Sequence, residues 1–175
     1  MRIESVLKPK RKANEVLIRI RASTVSSGDV RARALRVPRG FGVFARPVFG
    51  ILGPRKPILG TELSGEIEAV GSTVTRFKVG DAVFAFPGFD MGCHAEYHTM
   101  PEDGRIRVLP RGFSFEEAAS LSLGGLTAVA HLRHGAKIAR GEKVLVIGAS
   151  GFVERESCGS AVIVTLCHTA AACNL

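Results

Sequence analysis

Alternation of apolar and polar positions marks a strand at residues 15–23. There Val16, Ile18 and Ile20 alternate with Leu17, Arg19 and Arg21, making one face apolar and the other mostly basic. Residues 2–8 read as its companion strand, joined by the polar turn Lys10-Arg11-Lys12-Ala13-Asn14. A second alternating run, Ile67 and Ala69 against Glu66 and Glu68, lies between the glycines of residues 60–71 and has the period of a half-buried strand. Gly71-Ser72 and Val79-Gly80-Asp81 predict turns. Residues 82–86 predict a strand, 87–92 its turn, and 93–98 a further strand. On that last strand His94, Glu96 and His98 share one face while Cys93, Ala95 and Tyr97 take the other. This separation argues against the metal site that one Cys and two His within six residues would suggest.

The period changes after residue 110. Ser114-Phe115-Glu116-Glu117 fits a capping box, in which the Ser hydroxyl caps a backbone amide and Glu117 reaches back. It opens an Ala-rich helix through Ala118 and Ala119. Gly124-Gly125 starts a second helical stretch reaching about His134. His131 and His134 lie three apart on it and read as surface histidines without a third ligand. Residues 143–147 form a short apolar strand of the kind buried in a parallel sheet. It runs directly into Gly148-Ala149-Ser150-Gly151, a strand-to-glycine turn that lets a backbone approach a pyrophosphate.

Composition changes this picture only at the edges. With 46% hydrophobic and 23% charged residues, the chain has the make-up of a folded domain. No apolar run is long enough to span a bilayer, and the N-terminus lacks the apolar core of a secretory signal, so a cytoplasmic location is expected. The net charge of +8 is uneven: residues 1–59 hold fourteen Lys/Arg and three Asp/Glu. The basic residues are interspersed with apolar ones, with no stacking platform and no nucleic-acid motif, so no nucleic-acid partner is expected. The four cysteines, Cys93, Cys158, Cys167 and Cys173, show no zinc-type spacing and are expected as reduced thiols. Residues 31–59 form a Gly/Pro-punctuated apolar and basic insertion carrying Phe41, Phe44 and Phe49. Two uses are open for it, the mouth of an apolar substrate pocket or an interfacial anchor on an anionic membrane.

The run Gly60-Thr61-Glu62-Leu63-Ser64-Gly65, continuing to Val79-Gly80-Asp81, resembles the signature of the medium-chain dehydrogenase/reductase superfamily. Zinc-dependent members carry a His where Thr61 stands, so the match is to the zinc-free, quinone oxidoreductase-like branch. Val25-Ser26-Ser27-Gly28-Asp29 is similar to the family's cofactor-cleft segment, with Ser26 in place of a zinc-ligating Cys. Hydroxyls are poor zinc ligands beside thiolate and imidazole, and no catalytic zinc is expected. A plain turn with a helix N-cap is the competing reading of Ser26 and Asp29. Residues 92–97 resemble a structural strand of the family, and the glycine-rich helix resembles the element whose Thr, here Thr127, approaches the nicotinamide.

The resemblance implies a mainly β fold with short helices, a GroES-like partly open β-barrel over residues 1–120. Linking helices and the first β-turn of a truncated Rossmann α/β domain follow over 121–151. It implies NADP(H) as cofactor, with Ser26, Asp29 and Thr127 on the nicotinamide side and Gly148, Ala149, Ser150 and Gly151 at the pyrophosphate turn. It implies reduction of a small apolar carbonyl substrate, such as a quinone or enone; no residue stands out as general acid. The match ends at Gly151, since Glu154 occupies the place of the family's last glycine. Residues 152–175 carry no crossover helix, only a β-type run at 161–166, and are expected to be the least stable part. A chain so shortened is expected to be weakly active or inactive. The alternative is a non-catalytic interaction module without cofactor, able to form a homo-oligomer through an exposed sheet edge.

Overall fold

A computed structural model describes residues 3–34, 57–137, 143–147, 164–166 and 170–174 of the chain. They fall into two compact units, Met1–Ala119 and Ser120–Leu175. The first is built on a five-stranded sheet of order β4-β1-β2-β3-β5. Its strands are β1 (Glu15–Ser23), β2 (Leu63–Val70), β3 (Ala82–Ala85), β4 (Tyr97–Pro101) and β5 (Ile106–Val108). Every pairing is antiparallel. A short helix α1 (Ser27–Ala34) follows β1, and a 3₁₀ turn (Gly88–Asp90) follows β3.

The apolar face read from the sequence is the one that is buried. Val16, Ile18, Leu63, Ile67, Val83 and Ile106 form the centre of the core, with Ile20 and Val70 packed against it, while Arg19 and Arg21 face outward. Arg21 pairs across the strands with Glu66 at 2.7 Å. β1 and β2 pack so closely that a Cβ on Gly65 would lie 2.1 Å from the Arg19 carbonyl oxygen. Register shifts at Leu17/Ile18 and Ile20/Ala22 bend this pair.

Four sequence expectations change. Residues 3–8 form no strand: β1 already has β2 and β4 on its two edges, so no partner remains beside it. Lys8 instead pairs with Glu68 and lies 4.0 Å over the Tyr97 ring. Residues 94–96 bend rather than extend, and β4 starts at Tyr97, because the amides of Gly92, Cys93 and His94 bond back to Ile58, Gly60 and Leu59. The two helical stretches merge into one helix α2 (Phe115–Val129), which ends in a π-helical turn (Ala130–Gly135). Gly124-Gly125 lies inside it, since two glycines weaken a helix without ending it. The start of the 31–59 insertion is helical as far as Ala34, and its residues 35–56 lie outside the described part. The capping box is present: Glu117 accepts from the Ser114 amide at 2.8 Å, and the Ser114 hydroxyl accepts from the Glu117 amide at 3.2 Å.

In the second unit β6 (Lys143–Ile147), β7 (Val164–Leu166) and β8 (Ala170–Asn174) make a sheet of order β6-β8-β7. The strand at 143–147 is therefore present, but the parallel setting expected for it is not. β6 pairs antiparallel with β8, whose residues come from the tail that the sequence leaves without a family pattern. A parallel neighbour requires a crossover connection, and the sequence after Gly151 offers no helix for one.

Candidate functional site

Three chain segments meet where β1 ends: residues 23–29, 58–62 and 92–94. Ser26 caps α1, and Asp29 closes the cap. One Asp29 carboxylate oxygen, Oδ2, accepts from the Ser26 amide at 2.8 Å and from the Ser26 hydroxyl at 2.9 Å. The other, Oδ1, accepts from the Gly60 amide at 3.0 Å. Asp29 is 3% exposed, so its carboxylate is committed to holding the turn on both sides. The Ser26 side chain is half-buried, and its hydroxyl oxygen makes only a long 3.4 Å contact with the Asp29 amide as acceptor. The cap expected from the sequence is thus present, and among the described residues Ser26 Oγ has no other hydrogen-bond donor.

Glu62 is 1% exposed and accepts a short hydrogen bond from the Thr24 hydroxyl. Its carbonyl accepts from Ser23 Oγ at 2.8 Å. His94 bonds through Nε2 to the Thr24 carbonyl at 2.9 Å. Because a carbonyl only accepts, Nε2 carries the proton; Nδ1 is buried with no hydrogen-bond partner among the described residues. Gly60 is forced by this crowding. Its φ is +95°, and a Cβ would lie 2.6 Å from the His94 ring and 2.7 Å from the His94 amide nitrogen. Cys93 is fully buried beside the same residues. Burial first, then the charges of Asp29 and Glu62, push its thiol up to about 12, so it stays protonated and unreactive at neutral pH.

The structure thus brings Ser26 and Asp29 together at one end of the first unit. Thr127 sits half-buried on α2, its carbonyl bonded to the His131 ring at 2.8 Å. Gly148, Ala149, Ser150 and Gly151 lie outside the described residues. No group of three or more His, Cys, Asp and Glu side chains among the described residues could hold a metal ion. His94 and Thr24 are the residues that sequence reasoning did not connect with the Ser26 turn. The spacing of Thr24, Glu62 and His94 carries no local signal, because their contacts span 38 and 70 positions.

As to a nicotinamide cofactor, the Ser26 hydroxyl has the acceptor capacity that a ribose hydroxyl needs, and Asp29 fits as the group that orients it. As to a catalytic zinc, the donor set does not fit. Ser26 and Thr61 present hydroxyls, poor zinc ligands beside thiolate and imidazole, and Cys93 remains a thiol.

Comparison with known proteins follows this geometry. Residues 12–111 match the Alcohol dehydrogenase GroES-like domain family. The quinone oxidoreductase of Pseudomonas aeruginosa is 44% identical over 100 residues, 57% of this chain and 30% of that protein. The mouse quinone oxidoreductase is 33% identical over 157 residues, 87% of this chain and 42% of that one. Among solved structures, the CurK enoyl reductase superposes with a TM-score of 0.75 at 31% identity, over 90% of this chain and 46% of that one. The Escherichia coli quinone oxidoreductase complexed with NADPH gives 0.68 at 27% identity, over 91% and 44%. The chain spans less than half the length of these relatives.

Proposed function

The chain belongs to the alcohol dehydrogenase GroES-like domain family of the medium-chain dehydrogenase/reductase superfamily, on its quinone oxidoreductase-like side, and on that footing we propose an NADPH-dependent, zinc-free reductase of a quinone, enone or related small carbonyl compound. The observation that carries the proposal is the Ser26–Asp29–Gly60 arrangement: a hydroxyl oriented by a buried carboxylate that is itself pinned by a backbone amide. NADPH, when bound, supplies the hydride. Ser26 accepts a hydrogen bond from the cofactor's ribose, and Asp29 keeps the Ser26 hydroxyl aimed. Thr127 contributes on the nicotinamide side, and residues 148–151 at the pyrophosphate. Chemistry without zinc is supported by the hydroxyl side chains at Ser26 and Thr61. A cytoplasmic location accompanies the reading.

The test follows NADPH absorbance with a quinone acceptor in the presence of a chelator. Oxidation that the chelator leaves unchanged and Ser26→Ala reduces at least about tenfold supports the proposal. Oxidation abolished by the chelator overturns it; oxidation absent altogether is already expected of so shortened a chain, and the decision then passes to NADPH binding at Ser26.

A second reading is favoured by the sheet itself. β4 and β5 are its edge strands, and neither has a further partner among the described residues. An interaction module that pairs edge to edge with a second copy would use them. Its mark is a mass that doubles with concentration while NADPH has no effect.

A further inference from the structure

The chain is held at three points just ahead of the Ser26 turn. The Ser23 hydroxyl donates to the Glu62 carbonyl at 2.8 Å, the Thr24 hydroxyl donates to the Glu62 carboxylate, and His94 donates from Nε2 to the Thr24 carbonyl at 2.9 Å. The last of these grips the peptide that leads into Ser26. A peptide unit is planar, so fixing the Thr24 carbonyl also fixes the direction in which Val25 leaves. Val25 is 76% exposed, and its side chain adds little packing to hold that path. The imidazole is itself anchored. The His94 amide donates to the Leu59 carbonyl at 2.8 Å, and the ring carbon Cδ2 occupies the space that a side chain on Gly60 would need. The Gly60 amide in turn holds Asp29. The Ser26 turn is therefore gripped from both sides, Thr24 by His94 and Asp29 by Gly60.

The two ring nitrogens of His94 differ in use. Nδ1 is buried and has no hydrogen-bond partner among the described residues. A buried acceptor without a donor costs stability, and a hydrocarbon ring of similar shape would avoid that cost. Packing alone therefore favours Phe over His at position 94. What the imidazole adds is one N–H, at Nε2, aimed at the Thr24 carbonyl. We propose that His94 is a positioning residue for the Ser26 hydroxyl: its Nε2–H fixes the Thr24–Val25 peptide, and together with Asp29 it sets where Ser26 Oγ stands. That a cofactor ribose meets this hydroxyl rests on the reductase reading above; the hold on the turn does not.

Two variants separate the hold from the packing. His94→Phe keeps a flat ring and loses the N–H, whereas His94→Gln loses the ring and keeps an amide N–H for the same carbonyl. His94→Phe is expected to melt no lower than wild type, yet to move the Thr24 carbonyl and Ser26 amide NMR signals and weaken NADPH binding about tenfold. His94→Gln is expected to melt lower, with both signals near their wild-type positions and NADPH binding within about threefold. Stability and binding then change in opposite directions, which a histidine needed only for packing would not produce. NADPH bound as tightly by His94→Phe as by wild type, or as weakly by His94→Gln as by His94→Phe, would overturn the proposal. A check in the wild-type chain needs no variant: long-range ¹H–¹⁵N correlation of the imidazoles is expected to place the His94 ring proton on Nε2, and a proton on Nδ1 alone would overturn it equally. If wild type binds no NADPH, the reductase reading falls alone. The Thr24 and Ser26 signals then decide the role of His94: moved by Phe and restored by Gln supports it, and any other pattern overturns it.

Discussion

In the first unit β1 lies between β2 and β4, with the Arg19 carbonyl 2.1 Å from where a Gly65 Cβ would be; in the second, β6 has β8 on one side, and Gly125 on α2 has open space within 4 Å. The contrast separates two ways in which glycine reads in a sequence. At Gly60, Gly65 and Gly71 the space a side chain would need is occupied by other atoms. At Gly125 in α2 the site is open, and the glycine is only a weak helix former. The same contrast holds for polar groups: around Asp29 and Glu62 they are buried and committed to named partners, whereas the Thr127 carbonyl makes a local helix contact with His131.

Substitution at these glycines sharpens the comparison most. Gly65→Ala drives a methyl into the β1 backbone and is expected to cost at least about 3 kcal/mol, read as loss of cooperative unfolding or a large fall in Tm. Glu62→Ala strips the Thr24 hydroxyl and empties a buried space; a loss of about 2–3 kcal/mol by denaturant titration is expected. Asp29→Ala removes the α1 cap and frees the Gly60 amide. It should cost about 1–2 kcal/mol and speed hydrogen exchange at Ser26 and Gly60. Gly125→Ala has the opposite sign, a gain of up to about 1 kcal/mol, because the site is open and helical. If Gly65→Ala and Gly125→Ala shift stability alike, the distinction between the two regions fails.

The smallest effect is in pH dependence. The backbone amides of Arg76 and, next, Thr75 bond to the Glu102 carboxylate and hold it below its usual range. A carboxylate lowered in the folded state adds stability above its unfolded value and loses it as pH falls through the folded value. Glu102→Gln should therefore flatten part of the acid limb of a Tm–pH profile and leave neutral pH little changed.

Much of the first unit was legible because its cues are local. The alternation in 15–23, the turn at Gly71-Ser72 and the Ser114/Glu117 box each rest on neighbours a few positions apart. The bend at 94–96 was not legible, since it arises from amides bonding to residues more than thirty positions away. The role of Asp29 was half legible: its spacing to Ser26 gives the cap, but the Gly60 bond depends on tertiary approach. The direction of the β6 pairing was not legible either. A short apolar strand fits a parallel or an antiparallel neighbour equally, and the partner here comes from the tail.

The most direct test of the account is an NADPH titration of the ¹⁵N-labelled chain, followed at the Ser26, Asp29 and Gly60 amides. The account predicts saturable shifts at all of these that a chelator leaves unchanged and Ser26→Ala abolishes. Amides that stay still at millimolar NADPH would contradict it.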